Sequence, residues 1–251
     1  MANAGLLNYH RMLFQWHCRK FFRFRRHLTG NEKDYLETCF RLADDYQEVS
    51  ESGYSHFSYY SYSHRIEGDK VNSSRLAYGS VVHSREALVA ALPVLQERAL
   101  QVDDFFLQDP VSQFYGLGWD IEEDQFKIYF RVTQLERMPS SVKALVGTTS
   151  LQEHRPEGLI SFTYVVSKLS ETKVYLYPKA TGSLPEGALG EARMYSDRRG
   201  LVTQLDLSQP ELWAQKLSPP GQRIMALYRE LDETLDTIAY QDFEHYTLYF
   251  P

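Results

Sequence analysis

Phe126-Lys127-Ile128-Tyr129-Phe130-Arg131-Val132 decides the fold of this chain. Every second residue is apolar. The residues between are Lys, Tyr and Arg. A pleated strand sends successive side chains to opposite faces, so Lys127, Tyr129 and Arg131 share one face and the apolar set shares the other. The pattern recurs. Glu171, Lys173, Tyr175 and Tyr177 oppose Val174 and Leu176, and Glu191, Arg193, Tyr195 and Asp197 oppose Ala192 and Met194.

Working outward, the period is two from residue 55 onward. The spacing predicts five hairpins: 57–67 with 72–83 turning at Gly68-Asp69, 112–121 with 125–133, 159–168 with 172–179 turning near Ser170, 190–197 with 200–207, and 234–240 with 244–250. Ten antiparallel strands rarely stay as an open sheet, and closure removes exposed edges. Helices are predicted over 85–101, 134–148 and 209–231, the last interrupted by Pro219-Pro220. The first 54 residues read as helices, with Thr29-Gly-Asn-Glu32 as a capping box. Those helices need a surface to pack on, and the apolar strand faces supply it. The expected fold is α+β: a single domain over 1–251, built as a closed ten-stranded antiparallel barrel of helix–hairpin units with helices outside. The Lys/Arg/Tyr faces then line a solvent-filled lumen. The competing reading is an ordinary antiparallel sheet with one wet face.

Composition narrows the function. The 251 residues carry a net charge of −6, which argues against a nucleic-acid partner by bulk electrostatics. No apolar run is long enough to span a bilayer, so stable membrane insertion is not expected. Cys18 and Cys39 cannot make a disulfide framework, and no signal peptide is evident; a cytoplasmic monomer is expected. The unusual feature is the 18 Tyr and 14 Phe, most of them in the strand segments.

From residue 55 onward the chain resembles the cyanobactin-type peptide prenyltransferases, which belong to the wider group of barrel prenyltransferases. The resemblance rests on Arg65-Ile-Glu67-Gly-Asp69 with Ser74-Arg75 returning, and on Gly116-Leu-Gly-Trp119-Asp120 followed by Phe126 to Val132. Met194-Tyr195 through Asp206, and Leu248-Tyr249-Phe250, complete it. It implies transfer of a dimethylallyl or geranyl group from its diphosphate to a Tyr, Trp, His or Arg side chain of a ribosomal, cyclic or linear peptide.

That chemistry needs cations for the leaving diphosphate and electron-rich faces for the allylic cation. Arg75, Lys127, Arg131, Lys173 and Arg193 are the candidate diphosphate ligands. Tyr129, Tyr175, Tyr195 and Tyr249 are the candidate shield. Glu67 is the candidate general base; it shares a face with Arg65, Ser63 and Tyr59, and the resemblance places an acid there. No cofactor is expected beyond the prenyl diphosphate, and no magnesium requirement. Asp103-Asp104-x4-Asp109 reads as a solvated loop. His10 and His17, or His56 and His64, lack a companion set at zinc-ligand spacing. The basic, aromatic segment 10–27 reads as a surface helix, or as a site for an acidic leader peptide or a membrane surface. Two further readings stand beside the peptide enzyme: a prenyltransferase for a free aromatic acceptor, and a non-catalytic barrel binding a phosphorylated or lipidic ligand.

Overall fold

The computed structural model describes residues 58–80, 85–108, 112–120, 125–146, 153–179, 184–197, 200–230 and 233–250, with helical backbone also at 30, 31, 34, 35 and 38. The rest of the N-terminal helices expected over 1–54, the segment 10–27 included, lies outside the described residues.

Ten strands follow in hairpins: β1 (Ser58–Glu67) and β2 (Lys70–Ser80), β3 (Ser112–Asp120) and β4 (Gln125–Val132), β5 (His154–Val165) and β6 (Lys168–Pro178), β7 (Ala188–Asp197) and β8 (Gly200–Leu207), β9 (Thr237–Tyr240) and β10 (His245–Phe250). All neighbours are antiparallel. The ladder runs from β1 through β10 and back down to β2, so the sheet curls until its first strands meet its last. The joins are unequal. β4 and β5 match from Gln125↔Val165 to Val132↔Gly158, whereas β6 and β7 share one matched pair, Leu176↔Met194. The expected full closure is therefore not borne out here: the sheet is a curled, barrel-like one, carried across this join by a single matched pair.

The faces divide as the alternation predicts. Phe126, Ile128, Phe130 and Val132 are buried outward against α1 (Arg85–Glu97), through Ala87, Leu88, Ala91, Val94 and Leu95. Phe106, from the short helix α2 (Asp104–Leu107), sits between strands: its ring is 5.4 Å from Phe130 and 4.9 Å from Phe162. Residues 135–137 form a 3-10 turn before α3 (Ser140–Val146). A second outer cluster joins Trp213 of α4 (Pro210–Ala214) and Ile224, Met225 and Tyr228 of α5 (Pro219–Arg229) to Ile66, Leu205, Tyr246, Leu248 and Phe250. Pro219-Pro220 opens α5, where the missing N–H groups cost nothing. The helix–hairpin repeat is irregular: among the described residues no helix lies between β6 and β7.

Three expectations shift. The third hairpin turns at Val166 and Ser167, not near Ser170, and both residues have positive φ (46° and 65°). Such two-residue turns favour Gly or Asn, so no residue type marked this one. Likewise α1 ends at Glu97, well short of 101. Ala99 takes φ 51°, and the Leu100 N–H reaches back to the Leu95 carbonyl at 2.8 Å. That is the Schellman stop, made here with Ala where Gly is usual. Finally, Asp103 belongs to no loose loop: its carboxylate caps α2 by accepting from the Phe105 N–H at 2.9 Å. Asp109 lies outside the described residues.

Phe130 is fully buried at the centre of the first cluster. Phe130→Ala is expected to cost about 3–5 kcal/mol, against a total stability of about 5–15 kcal/mol for a typical domain. A urea melt whose midpoint stays at the wild-type value would refute this placement of the core.

Candidate functional site

The opposite face of the sheet is the lumen, and its rows follow from the register. One row runs Arg193↔Gln204, Gln204↔Ala239, Ala239↔Thr247 and Thr247↔Arg65 across β7, β8, β9, β10 and β1. The next runs Asp206↔Thr237, Thr237↔Tyr249, Tyr249↔Ser63 and Ser63↔Arg75. Across the barrel, Tyr129↔Ser161 and Ser161↔Lys173 form a third, with Arg131↔Leu159 and Leu159↔Tyr175 beside it. Directly opposed residues share a face, so widely separated segments converge here.

Three of the four predicted aromatics come together. Tyr195, Val202 and Ala239 form a buried cluster against which Tyr175 and Tyr249 pack. The rings of Tyr175 and Tyr195 are 4.9 Å apart. Lys173 Nζ stands 5.2 Å over the Tyr195 ring. Tyr129 takes a different place. Its ring lies along Gly118 of β3, where an added Cβ would meet Tyr129 Cε2 at 3.5 Å.

The cations have acid partners that sequence reasoning did not assign to them. Arg193 pairs with Asp206, which also accepts from Thr237 Oγ1 at 3.0 Å. Lys173 Nζ lies 3.2 Å from Glu171, and Arg65 Nε lies 3.1 Å from Glu67. Among the described residues the buried Arg193 Nε–H has no hydrogen-bond partner. Arg131 is exposed, and Lys127 is half-buried opposite Gly118 and Thr163. Arg75 holds its row position opposite Ser63; its side chain lies outside the described residues. Glu67, half-buried at the end of β1, falls opposite Lys70 and His245. It sits two residues beyond Arg65, so it stands at the hairpin-turn rim, one lumen position from the row that carries Arg193.

Tyr115 is the residue the sequence hid. It lies at the irregularity of β3 between Phe114↔Phe130 and Gly116↔Tyr129. The extra residue breaks the period of two and brings Tyr115 within electrostatic reach of Arg193, Tyr177, Arg131 and Asp206. Asp206, by contrast, was legible: it alternates with the buried Leu205 and Leu207. His64, beside Ser63 and Arg65 on β1, faces outward. Its Nε2 is 2.8 Å from the Tyr228 hydroxyl on α5.

Burial raises the pKa of Tyr115 and of Tyr175, although Arg193 opposes the shift in both and Ser161 hydrogen-bonds the Tyr175 hydroxyl. Both are neutral phenols at physiological pH, offering ring faces and hydroxyl groups rather than charge. Outside the lumen, burial pushes Tyr164 up to about 12, with its hydroxyl donating to the Gln101 carbonyl at 2.9 Å. A raised folded-state pKa gives stability that is fully present below the unfolded value and lost as pH rises through the folded one. Urea melts should therefore hold steady to about pH 10 and weaken from there towards the folded value, because the unfolded chain ionises first. Flat stability across that range would contradict the burial of these phenols.

Among the described residues no group of three His, Cys, Asp or Glu is placed to hold a metal ion, and no helix is long and apolar enough to cross a membrane. No protein-family model matches this chain. No curated protein matches it either. What the lumen offers chemically is a patch of phenol faces bordered by Lys173 and Arg193, with a carboxylate, Glu67, at the rim.

Proposed function

We propose that the protein is a barrel prenyltransferase of the cyanobactin peptide-modifying kind, moving a dimethylallyl or geranyl group from its diphosphate to a side chain of a ribosomal peptide. The observation that carries this reading is the Tyr175–Tyr195–Tyr249 cluster with Lys173 over one ring and Arg193 beside it. An anion site touching a box of aromatic faces suits a substrate that is a diphosphate at one end and an allyl group at the other.

In the proposed reaction the allylic carbon–oxygen bond breaks, and its electron pair leaves on the diphosphate. Lys173 and Arg193, joined by Lys127, Arg131 and Arg75, stabilise that charge as charge-assisted donors. Glu171 and Asp206 hold the two cations in place beforehand. A diphosphate of roughly three negative charges outcompetes a single carboxylate for each of them. The Arg193 Nε–H, without a hydrogen-bond partner among the described residues, gives the leaving group one more donor. The tyrosine faces stabilise the allylic cation by about 0.5–2 kcal/mol per contact. The peptide nucleophile captures the cation, forming the new bond to carbon, and its proton passes to the Glu67 carboxylate at the rim.

The test is the intact mass of cyclic and linear peptides after incubation with dimethylallyl diphosphate. A gain of one or two isoprene units supports the reading. Transfer only to free tryptophan or a phenol would replace it with the small-acceptor enzyme, and binding without turnover with the non-catalytic barrel. Activity should survive EDTA, since Lys and Arg hold the diphosphate; complete loss restored by magnesium would overturn that part.

A further inference from the structure

The join between β6 and β7 leaves part of β6 uncovered. Extending the register from Leu176↔Met194 sets Asp197, the last residue of β7, opposite Lys173. Residues 168–172 therefore overrun β7, a span of about 17 Å at about 3.4 Å per residue. On the other side this tract is firmly held by β5, through Val165↔Lys168, Tyr164↔Leu169, Thr163↔Glu171 and Phe162↔Thr172. Ser170 Oγ also donates to the Thr163 carbonyl at 3.0 Å. Among the described residues nothing pairs with its outer edge. The tract opens on apolar surface, with Val166 76% and Leu169 53% exposed. It runs directly into Lys173 and Tyr175.

We propose that the edge of β6 over residues 168–172, unpaired among the described residues, is the docking strand for the acceptor peptide, which adds to it as an extended antiparallel segment. This rests on the peptide-modifying reading above. An unpaired but pre-ordered strand edge presents alternating N–H and C=O groups, and the ligand that satisfies them is another extended backbone. A segment laid along it continues the line of β7. Its side chains alternate, so one set shares the lumen face with Glu171 and Lys173 and enters beside the tyrosine cluster. The other set faces outward. Because β5 already fixes the edge, little ordering is needed on the protein side. Main-chain pairing of this kind sets the depth of the acceptor side chain while leaving the flanking peptide sequence free.

The probe is a pool of head-to-tail cyclic heptapeptides, each with one Tyr, Trp, His or Arg among Gly, Ala and Val. It is mixed with the whole protein and dimethylallyl diphosphate. Transfer is read by mass, and amide hydrogen exchange is followed over residues 168–172 with and without peptide. The best acceptor is then remade with single N-methyl groups along its backbone. Docking on the edge predicts slowed exchange in this tract, and N-methyl effects of period two: alternate positions should raise KM about tenfold, the size of one lost backbone hydrogen bond, with small effects between them. Transfer with unchanged exchange, or with no alternation in the N-methyl series, overturns the docking strand and leaves the enzyme standing. Protection that grows with protein concentration in the absence of peptide means a second copy covers the edge, and also overturns it. If no peptide in the pool is modified, the peptide-modifying reading falls and the docking strand falls with it.

Discussion

Glu67→Gln is expected to lower turnover by about 10²–10⁴-fold while leaving prenyl diphosphate affinity within a few-fold. The substitution keeps the shape of the side chain and removes its basicity. Glu67 lies 3.1 Å from Arg65 Nε and opposite His245 beside the β1–β2 turn, one lumen position from Arg65, whose row carries Arg193. In the proposed reaction Glu67 takes the proton of the incoming nucleophile, and the cations hold the leaving diphosphate. That is why turnover, and not diphosphate binding, should carry the effect. With an imidazole or guanidine acceptor, the pH–rate profile should also shift in the variant. Wild-type turnover across pH values from about 6 to 9 would reduce Glu67 to the acid partner of Arg65 and move the search for a base to Glu171 and Glu191.

Arg193→Met and Lys173→Met should each cost about 2–4 kcal/mol in kcat/KM for the prenyl diphosphate, through loss of a donor to the leaving group. Arg193 needs a control, because its removal takes the cation from Asp206 and leaves its carboxylate, among the described residues, with the Thr237 hydroxyl. The double variant Arg193→Met with Asp206→Asn removes the stranded charge. If the kinetic loss persists there while the thermal midpoint recovers, the loss belongs to the diphosphate. Wild-type kcat/KM in both single variants would mean that the diphosphate binds elsewhere in the lumen. Arg193→Lys should recover only part of the activity, since a point charge does not replace a fork of donors.

The legible part of the fold was the part written in local alternation. Phe126, Ile128, Phe130 and Val132 are buried outward and Lys127, Tyr129 and Arg131 are not, as a period of two dictates whatever the neighbours are. The second and fourth hairpins fall at or within two residues of their expected limits. The third was misplaced because its turn uses Val166 and Ser167 at positive φ. The end of α1 was missed because Ala99 stands where Gly would have announced the stop. Both cases are backbone conformations imposed against residue preference by the packing around them.

The site divides in the same way. That Lys173, Tyr175, Arg193 and Tyr195 point to one side of the sheet was determined by sequence alone. That they meet was decided by curvature: β6 and β7 must bend together before the Tyr175 and Tyr195 rings can stand 4.9 Å apart. The register across β8, β9 and β10 then brings Ala239 and Tyr249 to the same spot. Tertiary structure alone gave Arg193 its acid partner, since Asp206 comes from the next strand and its reach depends on stagger. It alone gave Tyr115 a place in the lumen, because an inserted residue in β3 cannot be seen in a pattern that assumes strict alternation. Local periodicity depends only on the chirality and pleat of the strand. Register, bulges and the thin join between β6 and β7 depend on how ten strands of unequal length curl round together, and no single segment carries that information.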